Sequence, residues 1–309
     1  MWAMAMARIQ VLGLLANAHA SVAPPRPAGV ALRSKEFRLL GAGCDAAVTL
    51  DAGSSFAEGT RRFALPNGRE IGVRETSFGE GKLGYSLWTA GIALATWVCA
   101  DPSRVRDKAV LELGSGVGLA GFACACAGAR SVTLSDMDRV CADDRDSPTG
   151  LLSSLRRSVH ENALAEAVLV RRIDWREHVR AAAPSPGLGG AASRGGGREP
   201  QARALVDDDR FDVVVASDCV YHAELLEPLA VAVQRFLAPD GVAYVMSTHR
   251  PACVGEMHAS PDDFARELSA AGWCEVHERR CTCRTPYADE EMVLHEVRWR
   301  ADSKSSFAR

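Results

Sequence analysis

A doubly wound α/β sheet is the fold class this sequence predicts, and three observations predict it. From residue 87 onward, strand-length apolar runs alternate with stretches of helical period, as strand-helix-strand units require. Runs such as Asp212-Val-Val-Val-Ala216 are apolar almost throughout, which suits parallel strands covered by helices on both faces. One strand, Ala109–Leu113, runs into a glycine-rich turn that opens a helix, the usual entry to a ligand crevice in such sheets.

The elements follow in chain order. Residues 1–35 contain no acid, carry Arg8, Arg26, Arg33 and Lys35, and include Ala18-His19-Ala20, a small-x-small cleavage pattern. They read as an N-terminal extension, a helix ended by Pro24-Pro25-Arg26-Pro27, with a targeting segment as the second reading. Residues 36–82 form a small β-rich portion with strands at Phe37–Leu40, Ala47–Leu50 and Ile71–Arg74. A helix over Leu87–Ala100 stops at Asp101-Pro102.

Strands then fall at Ala109–Leu113, Ser131–Ser135, Val168–Ile173, Phe211–Ser217 and Val242–Ser247. Helices fall at Leu119–Ala127, Leu151–Asn162, Glu224–Leu237 and Pro261–Ala271. A closing pair, Glu275–Arg279 and Met292–Trp299, gives an antiparallel reversal at one edge of the sheet. Ala142–Thr149 is a polar insertion, and 181–209, with PSPGLGG and SRGGGREP, is a low-complexity disordered one. The main domain therefore covers 83–300, followed by a 301–309 tail.

Composition narrows the function classes. The chain has 309 residues, 47% hydrophobic and 24% charged, ordinary for a globular protein. A net charge of -3 supplies no overall basic field, so no nucleic-acid partner is expected. No apolar run reaches bilayer-spanning length. Ten cysteines scattered through apolar segments suit reduced thiols, hence a cytoplasmic protein, or an organellar one if residues 1–35 are a transit peptide.

The stretch VLELGSGVGLAG, Val110–Gly121, has two readings. From Gly116 it holds G-V-G-L-A-G, the spacing of a dinucleotide turn serving hydride transfer. From Val110 it is a strand ending in E-L-G-S-G-V-G, a turn that holds S-adenosylmethionine. Both readings want an acid about 20 residues on for ribose hydroxyls, and Asp136 in S-D-M-D fits either. The strand ends at Gly114, not Gly116, which favours the second form. Glu112, just inside the strand, then suits a cationic sulfonium ligand.

Four motifs combine: Leu87-Trp88, Glu112–Gly118, Asp174-Trp175 and Asp218-Cys-Val-Tyr221. Together they resemble the seven-stranded protein-lysine methyltransferases of the methyltransferase-like 21 group. The run from Ala100 to Gly116, A-D-P-S-R-V-R-D-K-A-V-L-E-L-G-S-G, is most similar to the elongation factor 2 lysine methyltransferase branch. The resemblance covers Leu83–Trp299 and implies a Rossmann-like sheet of seven strands with an antiparallel terminal edge strand.

It also implies roles. Trp88 covers the cofactor, Gly114, Ser115 and Gly116 contact it, Asp136 holds its ribose, and Trp175 packs on its adenine. Ser217 stands where relatives usually carry alanine. Asp218 and Tyr221 are the implied catalytic pair, lining the channel for a lysine of a protein substrate. No metal is implied. Alone, Trp88 and Trp175 would read as core, Asp218 as a helix N-cap and Tyr221 as a packing aromatic.

Rival readings are an NAD-dependent oxidoreductase, a binding module without turnover, and a methyltransferase for RNA or a small molecule. The Asn/Asp-Pro-Pro-Tyr/Phe motif of base methylation is absent after the fourth strand. Cys274, His277, Cys281 and Cys283 have loose zinc spacing, but strand alternation would scatter them to both faces. His222 reads as a solvated helix-start residue.

Overall fold

The computed structural model describes residues 35–50, 60–75, 83–137, 150–177, 209–250 and 258–303. The N-terminal extension before Lys35, the insertions at 142–149 and 181–208, and the tail beyond Ser303 lie outside the described residues.

Four strands come first: β1 (Lys35–Gly41), β2 (Cys44–Leu50), β3 (Thr60–Ala64) and β4 (Glu70–Arg74). Helix α1 (Thr89–Ala100) leads to β5 (Ala109–Leu113), α2 (Leu119–Cys126), β6 (Ser131–Asp136), α3 (Leu151–Glu161) and β7 (Val168–Arg172). Then come β8 (Phe211–Ser217), α4 (Leu226–Phe236), β9 (Leu237–Thr248), α5 (Pro261–Ala271), β10 (Cys274–Arg284) and β11 (Asp289–Trp299).

All the strands join one sheet, in the order β4-β3-β2-β1-β10-β11-β9-β8-β5-β6-β7. The expected seven are β5 to β11, with β5, β6, β7, β8 and β9 parallel and β11 antiparallel to both of its neighbours. The fold class stands, but two details change: among the described residues the sheet has eleven strands, and the antiparallel reversal is internal. β1 pairs with the last four residues of β10, Cys281–Arg284, and carries β2, β3 and β4 outward, so that end of the edge β10 would otherwise expose is hydrogen-bonded.

Period-two alternation divides the core between the two faces. On β8, Val213 and Val215 pack among residues of α1, α2 and α3, while Val214 and Ala216 pack among those of α4 and α5. The N-terminal strands add Phe37, Leu39, Val48, Phe63, Ile71 and Val73 to the first face only. Fully burying side chains of this size stabilises by about 1.5–3 kcal/mol each. Helix α1 is buried from Ala90 through Cys99, as a helix apolar on all sides must be.

Differences from the expected boundaries have local causes. Helix α1 starts at Thr89 because Trp88 is extended, φ −99° and ψ 150°. The expected helix over Glu224–Leu237 divides into a 3-10 turn, Ala223–Leu225, and α4. Pro228 has no N–H to donate to the carbonyl four residues earlier, so regular α bonding begins beyond it. Strand β3 escaped the pattern because its only buried residue is Phe63, beside Arg61 and Arg62.

Candidate active site

Strands β5 and β8 are parallel neighbours whose following helices lie on opposite faces, which makes their carboxyl ends the topological switch point. A cleft opens there, lined by Leu87, Trp88, Glu112, Gly114, Ser115, Gly116 and Ser217. Six of the ten predicted site residues are in that lining.

The turn begins at Gly114 immediately after β5 ends. Gly114 has φ +62°, a left-handed value that favours glycine, and a Cβ there would stand 2.7 Å from Cys219 Sγ and 3.0 Å from the Trp175 ring. Trp175, after β7, therefore closes directly over the turn. A Cβ at Gly91 would stand in the cleft 3.5 Å from both Leu87 and Ser217 Oγ, so glycine keeps that space open.

Serines lock the turn to β6. The Ser115 N–H donates to Ser135 O at 2.9 Å, and the Ser135 N–H donates to Ser115 Oγ at 2.9 Å. This holds Asp136 beside the turn, where its Oδ2 accepts from the Gly116 N–H at 2.9 Å. The turn, the acid and the tryptophan thus form one unit.

Glu112 lies below them at 1% exposure, and its Oε2 accepts from the Gly121 N–H at 3.2 Å. Burial pushes its carboxyl up to about 8, against hydrogen bonds from Ser115 and Gly121 that lower it, with the Asp136 charge adding to the rise. It braces the turn against α2 as a largely protonated acid at neutral pH. Gly121, third glycine of the dinucleotide spacing, has a packing reason: its Cβ would meet Leu134 at 2.2 Å.

The lip carrying Trp88 is tied down from the N-terminal strands. Glu75, just past β4 and 8% exposed, accepts from the Leu87 N–H at 2.7 Å and pairs with Arg61. Burial raises the Glu75 carboxyl, and Arg61 and the Leu87 N–H pull it back down.

Beyond Ser217 the chain turns at Asp218, a non-glycine residue with φ +54° whose N–H donates to Met246 O at 2.9 Å. Its carboxylate, nearly buried, takes Arg250 Nη2 at 2.6 Å, and the guanidinium carbon lies 5.8 Å from the centre of the Trp88 ring. Glu290, at the start of β11, accepts from Thr89 Oγ1 at 2.9 Å. Burial raises its carboxyl, the Thr89 bond lowers it, and the Asp218 and Arg250 charges act in opposite directions. Sequence reasoning missed Glu75, Arg250 and Glu290.

Tyr221 is half-buried past the cleft, its carbonyl accepting from Ala259 N at 3.5 Å. Its neighbour His222 caps the 3-10 turn through Nδ1, which accepts from Glu224 N at 3.3 Å. His222 therefore does start a helical segment, but at 5% exposure it is buried rather than solvated, because its backbone pairs with His258. Along β10, Cys274 belongs to the core under α4 and α5, whereas Cys281 and Cys283 belong to the opposite face and His277 is exposed. Four such positions cannot converge on one ion. The eight described cysteines are free thiols.

A sheet in the order β7-β6-β5-β8-β9-β11-β10, with a glycine turn closing β5 and an acid closing β6, is a Rossmann-like α/β fold of the methyltransferase-like kind. A profile of the lysine methyltransferase family matches residues 68–186 and 198–269, well over half of the chain, and the chain belongs to that family. This decides between the two readings of the glycine turn: the chemistry is methyl transfer to lysine, not hydride transfer.

Among curated relatives, the protein N-terminal and lysine N-methyltransferase efm7 of Schizosaccharomyces pombe is 25% identical over 244 residues, 77% of this chain and 82% of its own. The protein-lysine N-methyltransferase EEF2KMT of Mus musculus is 29% identical over 229 residues, 70% of this chain and 59% of its own. A solved structure of the glycopeptide N-methyltransferase MtfA complexed with S-adenosyl-L-methionine aligns with a TM-score of 0.44 and 17% identity, covering 67% of this chain and 87% of that one.

Proposed function

We propose that this lysine methyltransferase uses S-adenosylmethionine and acts on a translation elongation factor in the cytoplasm, elongation factor 2 being the first candidate. The observation that carries the cofactor reading is the unit of Gly114–Gly116, Asp136 and Trp175 beside an open cleft at the switch point. That donor set fits the cofactor: backbone at the turn, a carboxylate for the ribose, and aromatic rings for the adenine and for cover. When bound, S-adenosylmethionine supplies a methyl group on a sulfonium, open to direct displacement.

The chain's own residues have the remaining tasks. Gly114, Ser115 and Gly116 present backbone to the ligand, Asp136 holds the ribose hydroxyls, Trp175 packs on the adenine, and Ser217 borders the site. Trp88 covers the cleft and excludes water. Asp218 orients the substrate amine, and Tyr221 shapes the slot. Displacement needs an uncharged amine, and a free lysine pKa near 10.4 makes that form cost about 4 to 5 kcal/mol at pH 7. Positioning and desolvation therefore carry much of the catalysis.

The test is incubation of the purified protein with methyl-labelled S-adenosylmethionine and purified elongation factor 2, with the label mapped by mass spectrometry. Label on a lysine side chain is expected. Transfer to RNA or to a small molecule with none to protein would contradict the reading. The name of the efm7 relative also covers N-terminal amines, which the same map separates from lysine.

A further inference from the structure

We infer that Arg250 is a positioning residue that selects the protonation state of the substrate amine: its guanidinium cancels the Asp218 charge, so the slot admits lysine as a neutral amine. This rests on the reading above that Asp218 meets that amine. The geometry is a nearly buried carboxylate at the end of β8 with a guanidinium on it at 2.6 Å, beneath the cleft-covering Trp88 ring at 5.8 Å.

A lone buried carboxylate in this place would be a cation trap. An opposite charge within about 4–6 Å favours the ionised form of a group by 1–3 pKa units. Asp218 alone would hold lysine as an ammonium, which has no lone pair to react. Arg250 removes that bias because a guanidinium stays charged throughout the working pH range. The entering ammonium sheds its proton to water; the lone pair then forms the N–C bond as the methyl–sulfur bond breaks, its electrons staying on sulfur.

Other charges face the pair. Glu290 of β11 feels both Asp218 and Arg250 and is held by Thr89 of α1. The His258 ring, ahead of α5, is lowered by burial, then by Arg250 and His222. His249 and Glu291 pair beside Arg250 in sequence and on β11. Under the turn, burial holds the Cys219 thiol well up, with Asp136, Asp218 and Glu112 adding to the rise. Only Arg250 contacts the Asp218 carboxylate with a full positive charge among the described hydrogen bonds and ion pairs.

The experiment is the pH profile of kcat, which reports ionisations within the bound complex, for methylation of purified elongation factor 2, with melting curves to verify folding. In Arg250→Gln the acid limb should move up by about one pH unit, a loss of roughly tenfold at pH 7 that is regained at high pH. Asp218→Asn, which leaves the guanidinium uncompensated, should move it down. The double variant should return the limb to its native position on a lower plateau, and Arg250→Lys should keep it there.

Opposite single shifts that cancel in the double variant support the assignment. If Arg250→Gln does not fold, the downward shift of Asp218→Asn and its cancellation in the double variant decide. Profiles that fall in parallel at every pH overturn the assignment of Arg250 alone. Absence of transfer by the native enzyme overturns the substrate reading and this inference with it.

Discussion

Glu112 carries a cost that pH controls. Its folded pKa, about 8, lies above its ordinary value of 4.5, so the folded state binds its proton more tightly than the unfolded chain does. That contribution to stability is full below about pH 4.5 and is lost as pH rises through about 8, at up to roughly 1.4 kcal/mol per pH unit. Glu112→Gln keeps an oxygen for the Gly121 N–H and removes the titration. We expect it to flatten stability between pH 5 and pH 8 and to raise it at pH 8 by roughly 1 to 3 kcal/mol, read from urea unfolding at each pH. At Gly114 the demand is steric, since a methyl group would strike Cys219 and Trp175 from a left-handed backbone. Gly114→Ala should cost about 1 to 3 kcal/mol and abolish binding of S-adenosylhomocysteine by calorimetry. Both residues stood out in the sequence because the turn is local, although Glu112 was expected to serve a sulfonium rather than to brace the turn as a buried acid. Arg250 and Glu290 were not: Arg250 reaches Asp218 through the pairing of β8 with β9, and Glu290 reaches Thr89 through the packing of α1 on β11, 32 and 201 positions away along the chain.

The lip between β4 and α1 is where elements from distant parts of the chain meet. Leu87-Trp88 was legible as a motif, but the carboxylate that fixes it, Glu75, sits past a β strand and gives no local signal. Glu75→Ala would free the Leu87 N–H and leave Arg61 without its carboxylate. We expect a stability loss of about 2 to 4 kcal/mol and affinity for S-adenosylhomocysteine weakened by about tenfold, with the ligand's enthalpy reduced. Helix α5 shows the opposite case, fully written in sequence. Ser260 and Asp263 form a reciprocal capping box, with Pro261 at the first helical position and Gly272 beyond the last. Ser260→Ala should cost about 1 kcal/mol in thermal unfolding without changing cofactor affinity. Strands buried on both faces, such as β5 and β8, were located to the residue, whereas the half-exposed β3 gave no alternation to read.

At the scale of the molecule, the four N-terminal strands belong to the catalytic sheet. They cover the Cys281–Arg284 end of the β10 edge, add Phe63, Ile71 and Val73 to the core, and hold the lip through Glu75. The sequence pattern located most of these strands but could not say which strand they would pair with, because register between distant segments is a tertiary choice. A chain beginning at Leu83 should therefore melt far below the full chain and associate through the β10 edge, whose Cys281–Arg284 end it newly exposes. Light scattering alongside the melt would register both effects.

The central claim is that the turn after β5 and the acid after β6 form one binding unit for S-adenosylmethionine. Calorimetric titration of the native protein and of Asp136→Asn with S-adenosylhomocysteine, and separately with NAD, tests it most directly. The amide retains an oxygen for the Gly116 N–H but loses the charge that grips two hydroxyls. Binding of S-adenosylhomocysteine by the native protein, weakened at least about tenfold in Asp136→Asn, with no heat from NAD, is the predicted result. Heat from NAD alone, or S-adenosylhomocysteine affinity indifferent to Asp136→Asn, would contradict it.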